Sequence, residues 1–223
     1  MRPVTVDLSV GQTMAAPPIA RCGFCGDRGW IVDPGRNSAR PCDCAARSLQ
    51  DRLIRAGVRE EYLGCLRTTW RGAWPQEELA PFVAGDVSLC LLTGPTGVGK
   101  THLATALLSA WVERGGKALW REVRDLLSEL RSAVVIGEAA ELGRKLREFE
   151  GLLLLDDLMA NRPTEFAEDF VSELICYRHG RRRQTVATTN APLEAMEPRL
   201  RSRFSSGVIL EMDGEDQRER NQR

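Results

Sequence analysis

The stretch "VSLCLLTGPTGVGKTHLATALLSAWVERGG", residues 87–116, constrains the fold of this chain more than any other. An apolar run of strand length leads into Gly94, Pro95, Thr96, Gly97, Val98, Gly99, Lys100 and Thr101. These eight fit G-x-x-x-x-G-K-[ST] at every fixed position, and helical periodicity begins directly after them. The glycines let backbone amides turn inward around an anion, and the helix start adds unpaired amides and a positive dipole end. In this setting Lys100 reaches the β- and γ-phosphates of a nucleotide, and Thr101 is placed to ligate Mg²⁺. His102 follows in the helix and packs beside the loop.

The rest of the segment from residue 87 alternates strands with helices. "KALWREV", "GLLLLDD", "QTVATTN" and "GVILEM" read as strands. "RDLLSELRSAVV", "ELGRKLREFE" and "TEFAEDFVSELICYRH" read as helices, with Thr164 a candidate cap for the last. Such alternation predicts an α/β fold, a parallel sheet flanked by helices on both faces. In "LLLLDDL" a buried strand delivers two acids at its carboxyl end, where ligands of open α/β sheets collect. Asp156 there suits water-mediated Mg²⁺ binding, and Asp157 suits polarising an attacking water. Asn190 ends "VATTN", and a neutral amide in that place either orients water near the γ-phosphate or caps a turn.

Upstream the composition changes. Residues 1–20 lack periodicity and read as a flexible tail. Residues 21–63 read as a small module and helix, 64–86 as a Pro/Trp connector, 87–214 as the core and 215–223 as a C-terminal tail. Cys22 and Cys25 form C-x-x-C, and Cys42 and Cys44 form C-x-C. Two tight pairs closing a loop are what a four-thiolate Zn²⁺ site needs. Free core cysteines and an iron–sulfur cluster are the alternatives. Without metal this module is too small for a core of its own. Cys90 and Cys176 read as small buried hydrophobes, and Cys65 is undetermined. Formal net charge is zero, so any basic surface is local rather than global. No run of about 18 apolar residues predicts a membrane span, and the first twenty residues lack the apolar core of a secretory signal. A cytoplasmic location is the expectation, and seven cysteines there point away from disulfides.

Taken in order, "GPTGVGKTH", "LLLLDDL", "TTN" and "RLRSRF" resemble the Walker A, Walker B, sensor 1 and arginine-finger motifs of an AAA+ ATPase. The fuller phrases "LLLLDDLMANRPTEFAEDFVSELICYRHGRRRQTVATTN" and "RLRSRFSSGVILEMDGEDQR" are similar to the DnaC/DnaI-like replicative helicase loaders and to the related IstB transposition ATPase. The likeness covers roughly residues 87–218. Met159 departs from it, since a Gly often follows "DDL" in loaders. After "GVILEM" only "DGEDQRERNQR" remains, which leaves no room for a full helical lid, as in the short loader-type ATPases. "CGFCGDRGWIVDPGRNSARPCDC" resembles the N-terminal zinc segment of many such proteins, with C-x-C in place of the commoner second C-x-x-C.

By this resemblance Arg203 is a finger that grips the γ-phosphate held by a neighbouring subunit, so the chain self-associates in its ATP state. Arg199 and Arg201 make local pairs instead. The implied activity is ATP hydrolysis to ADP and phosphate, used to load a replicative DNA helicase onto single-stranded DNA. The zinc module is the natural adaptor for the helicase. Around "LWREVRDLLSELR", Arg121, Arg124 and Arg131 either meet DNA phosphates or pair with Glu122, Asp125 and Glu129 on an ordinary surface helix. "RRR" at 181–183 reads as an exposed basic turn. Two rival functions remain: an IstB-type transposition helper, and a nucleotide-gated adaptor with negligible turnover.

Overall fold

The computed structural model describes residues 30–33, 35, 38–41, 49–159 and 165–214. Cys22, Cys25, Cys42 and Cys44, and the candidate cap Thr164, lie outside the described residues. Strand β1 (Trp30–Asp33) pairs antiparallel with β2 (Ser38–Pro41), in register from Trp30 opposite Pro41 to Asp33 opposite Ser38.

The described core runs α1 (Leu49–Arg55), α2 (Gln76–Ala84), β3 (Leu89–Thr93), α3 (Lys100–Glu113), β4 (Ala118–Glu122), α4 (Val123–Val135), α5 (Ala139–Glu148), β5 (Leu152–Asp156), α6 (Glu165–Gly180), β6 (Thr185–Thr189), α7 (Pro198–Ser205) and β7 (Val208–Glu211). Five strands form one sheet in the order β4-β5-β6-β3-β7, and every neighbouring pair is parallel. The central strands β3, β5 and β6 are buried at all positions, which is why they read as unbroken apolar or Thr/Val/Ala runs. The edge strands β4 and β7 are partly exposed and carry Arg121, Glu122 and Glu211.

Alternate strand residues feed two separate cores. Cys90, Leu92, Leu152, Leu154 and Val186 meet Leu53 of α1, Leu79 and Phe82 of α2 and Leu103 and Leu108 of α3. Leu89, Leu91, Leu153, Leu155 and Ala187 meet Leu126, Leu146, Leu174, Leu200 and Phe204 on α4 to α7. The two-residue period of a strand thus makes a helix–sheet–helix sandwich. The crossovers change sense at the β3/β6 boundary: from β3 the chain leads away to the β4 edge, whereas from β6 it passes across β3 to β7. Open α/β sheets bind ligands beside such a switch point, at the carboxyl ends of the strands.

The segment read as a connector, 64–86, is structured. Its second half is α2, with Leu79 and Phe82 buried, and Gly85 closes it at φ 82° by donating its N–H to the carbonyls of Phe82 and Pro81. Pro81 inside that helix is a breaker signal that conceals it in the sequence.

One internal brace stands out. Arg178 on α6 is fully buried, and its guanidinium donates to Thr185 Oγ1 and to the carbonyls of Leu146, Phe149, Gly151 and Gln184 at 2.7–3.0 Å. Burial pulls its pKa down to about 9, and oxygen acceptors on all five N–H groups hold the charge in place. The end of α5, the entry to β5 and the start of β6 are tied together through this side chain.

Candidate functional site

The phosphate loop leaves β3 at Gly94 and enters α3 at Lys100. Three of its residues adopt conformations closed to ordinary side chains: Gly94 at φ 141°, Gly97 at φ 83° and Gly99 at φ 103°. At Gly94 there is also no space, because a Cβ atom there meets the Met212 carbonyl oxygen at 2.0 Å. Lys100 is buried, and its ammonium donates to the Gly94 carbonyl at 2.7 Å and the Pro95 carbonyl at 2.5 Å. An anion seated in the loop offers that ammonium a stronger, charged acceptor.

Thr101 Oγ1 donates to the Asp156 carboxylate at 3.0 Å, and Thr188 Oγ1 donates to it at 2.7 Å. Both partners are hydroxyls, so neither neutralises the buried carboxylate. Burial raises the Asp156 pKa, the two hydroxyl bonds lower it in part, and the charges of Asp157 and Glu122 raise it further. A hydroxyl and a carboxylate in one buried cluster are the hard oxygen donors that Mg²⁺ takes, so Thr101 and Asp156 fit that ion. Asp157 follows at φ 59°, a left-handed conformation that Asp tolerates, with its N–H donated to Thr188 Oγ1 at 2.9 Å. Asn190 is exposed at the end of β6, and next to it the Ala191 carbonyl accepts from Thr93 Oγ1 at 3.2 Å. The sheet therefore brings the loop, both aspartates and Asn190 to one edge. They line a cleft of about 1130 Å³ with Thr96 through Leu103.

The rest of the cleft lining comes from residues with no motif. Arg59, Tyr62, Cys65, Thr69, Trp70, Arg71 and Pro75 line it, together with Glu122 and Arg124. The Trp70 ring lies where a Cβ on Gly99 would meet it at 3.3 Å, and it stands edge-on to His102 at 5.4 Å between ring centroids. His102 is held by Thr69 Oγ1 at 3.2 Å from Nε2. The tryptophans at 70 and 74 were the signal, since exposed connectors seldom carry paired large aromatics. Burial pushes the Cys65 thiol up to about 11 and the Cys90 thiol up to about 12, so neither is a ready thiolate. Cys90 is buried as expected, whereas Cys176 is only half-buried.

Arg203 does not line the cleft. It lies at the end of α7, where Gly207 abuts the Leu89 carbonyl at the amino end of β3. Five strand residues separate that edge from Gly94, about 16 Å at ~3.3 Å per residue, longer than an arginine side chain. Arg203 is exposed, and among the described residues its guanidinium makes no hydrogen bond or ion pair. Its charge and that of Arg182 add to burial in lowering the pKa of His179. Arg199 is exposed, and Arg201 Nη1 reaches the Glu194 carbonyl at 3.5 Å.

The basic segments divide similarly. Arg121 donates to its neighbour's carbonyl at Trp120, Arg124 pairs with Glu122 at 3.0 Å, and Arg131 is exposed. In the turn at 181–183, Arg182 donates to the Gly85 and Asp86 carbonyls and Arg183 to that of Arg147. Among the described residues no group of three or more His, Cys, Asp or Glu is placed to hold a metal, and no helix is long and apolar enough to cross a membrane.

Comparison with known proteins agrees with this geometry. Residues 80–210, more than half of the chain, match the family model described as IstB-like ATP binding protein. The chain is 27% identical over 121 residues to the chromosomal replication initiator protein DnaA of Campylobacter jejuni subsp. jejuni, covering 53% of this chain and 28% of that protein. It thus spans only about a quarter of that relative's length. The crystal structure of the DnaC helicase loader superposes with a TM-score of 0.59 at 20% identity, over 70% of this chain and all of that one. Replication initiator DnaA bound to AMPPCP and single-stranded DNA gives 0.61 at 18% identity, over 70% of this chain and 51% of that one. The fold is the AAA+ P-loop core.

Proposed function

Because the chain belongs to the family of IstB-like ATP binding proteins, we propose that it is an ATPase that loads a replicative DNA helicase onto single-stranded DNA. ATP binding assembles subunits, and hydrolysis releases the helicase. The observation that carries the nucleotide part is the convergence of Lys100, Thr101, Asp156 and Asp157 on one cleft edge. Lys100 exchanges its two loop carbonyls for the β- and γ-phosphates. Thr101 and Asp156 hold Mg²⁺, which when bound supplies charge neutralisation on those phosphates. Asp157 accepts a hydrogen bond from the attacking water, and Asn190 orients it. Arg203, remote from its own cleft, acts on the γ-phosphate of the adjacent subunit.

The loader reading draws on the similarity to the DnaC helicase loader, whose whole chain is covered by this fold. A second reading, a transposition helper acting on duplex DNA, is favoured by the family match itself. Turnover measured with single-stranded and with duplex DNA separates the two. Stimulation by single strands, together with delivery of a hexameric helicase to a closed single-stranded circle, is expected. Stimulation by duplex alone overturns the loader reading, and negligible turnover under every condition leaves a nucleotide-gated adaptor. We further propose that Cys22, Cys25, Cys42 and Cys44 hold one structural Zn²⁺ per chain, with no open position for catalysis. Elemental analysis of purified protein checks this: metal-free folded protein with free thiols removes the zinc assignment.

A further inference from the structure

The cleft contains a third carboxylate that the phosphate motifs do not use. Glu122 ends β4, in register with Asp156 on β5, and its charge raises the Asp156 pKa. Its side chain is 12% exposed, so water alone does not screen it. Two arginines hold it. Arg124, 3.0 Å away, is 63% exposed and belongs to the next turn of chain. Arg59 belongs to the segment before the core. It pairs with Glu122, donates to Asp125 Oδ2 at 2.6 Å, and lies 5.4 Å from the ring centroid of Trp120.

Arg59 is delivered by a docked segment. The Ala56 carbonyl accepts the Trp120 N–H of edge strand β4 at 2.6 Å. Gly57, at φ 88°, lies so close that a Cβ there meets the Trp120 carbonyl at 2.9 Å. Arg52 Nη1 reaches across to the Val112 carbonyl at the end of α3 at 2.7 Å. Residues 49–62 therefore cover the β4 edge and set one cation over an acidic site. Three carboxylates, Glu122, Asp156 and Asp157, face the space into which a polyphosphate must enter.

We propose that Arg59 is a positioning residue of the nucleotide site: together with Arg124 it balances Glu122 and Asp125, and its cation sustains full affinity for a polyphosphate. The proposal rests on the reading of the cleft as a nucleotide site. Without the Arg59 cation, Glu122 and Asp125 face Arg124 alone, and the excess negative charge repels the phosphates.

The test is a charge-compensation cycle on the full chain, read by titration with fluorescently labelled ADP, with and without Mg²⁺. Arg59→Gln weakens binding by roughly tenfold, the scale of one unit charge about 10 Å from a phosphate at an effective dielectric of about 20. The loss is larger without Mg²⁺. Adding Glu122→Gln to Arg59→Gln restores affinity to within about threefold of wild type, because the excess negative charge is gone. Glu122→Gln alone, with Arg59 in place, tightens Mg²⁺-free ADP several-fold, and this arm does not depend on the Arg59 variant folding. Loss in Arg59→Gln that Glu122→Gln fails to restore reduces Arg59 to an anchor of residues 49–62 and overturns the proposal. Unchanged affinity in both single variants overturns it as well. Wild-type protein that binds no nucleotide overturns the reading of the cleft itself.

Discussion

Lys100 is an ammonium engaged by two carbonyls of its own loop, and Asp156 is a carboxylate engaged by two hydroxyls. Removing the first removes a cation from the phosphate site: Lys100→Ala should lose ATP affinity. Asp157→Asn should bind at least as tightly and lose turnover, because the attacking water loses its carboxylate partner. Nucleotide titration beside phosphate release checks both, and wild-type values in the two variants exclude the assignments. Asp156 leads to a stability prediction. Its folded pKa is raised above its ordinary value, so between the two the unfolded chain is ionised while the folded chain still binds a proton. The unfolded state then binds fewer protons, and stability falls as pH rises through that window. The penalty is absent below about pH 4 and fully present above the raised value. Nucleotide-free Asp156→Asn should therefore melt higher than wild type at pH 7, by about 2–4 °C for each kcal/mol relieved, and the gain should vanish near pH 3. Melting curves across that range check the sign. The glycines at 94, 97 and 99 were readable in the sequence because their dihedral angles admit few other residues. Glu122 was not, because an acid beside arginines reads equally well as a solvated helix start.

At the scale of elements, strands were legible and walls were not. β3, β5 and β6 are buried on both faces, so burial left an unbroken signature in each. Helix α2 was hidden by Pro81, although Leu79 and Phe82 keep its apolar face. The contact of Trp70 with Gly99 spans 29 positions and follows no period, so only tertiary structure reveals it. Arg178 was likewise illegible: an arginine near a helix end reads as a surface charge favoured by the dipole. Its burial makes it the joint between α5, β5 and β6. Arg178→Met keeps the volume approximately but takes a donor from four backbone carbonyls, of which that of Gln184 keeps the Leu153 N–H. The expected loss is several kcal/mol, since each buried acceptor left unsatisfied costs about 1–3 kcal/mol. Chemical denaturation should show it as a lower midpoint with an unchanged slope.

For the whole molecule, Arg203 and the phosphate loop lie at opposite ends of the same sheet. A site shared between subunits predicts complementation. Arg203→Ala should bind ATP nearly normally yet fail to hydrolyse it, and mixing it with Lys100→Ala should restore part of the turnover. The intact loop of one chain then meets the intact arginine of the other. A finger acting in trans is worth about a thousandfold or more in rate, against at most about 1 kcal/mol for a surface ion pair. Near-wild-type turnover by Arg203→Ala alone excludes the shared site. Helix α7 is eight residues, about 12 Å of rigid rod at ~1.5 Å per residue. It follows the loop after Asn190, beside the chain's own cleft, and carries Arg203 to the far edge. With Arg203 as the finger, a shift at one end of that rod is felt at the other as a change in what the next subunit receives. Information would then pass along a row of subunits in one direction only, as in a line of falling dominoes, and the assembly would fire in sequence rather than in unison.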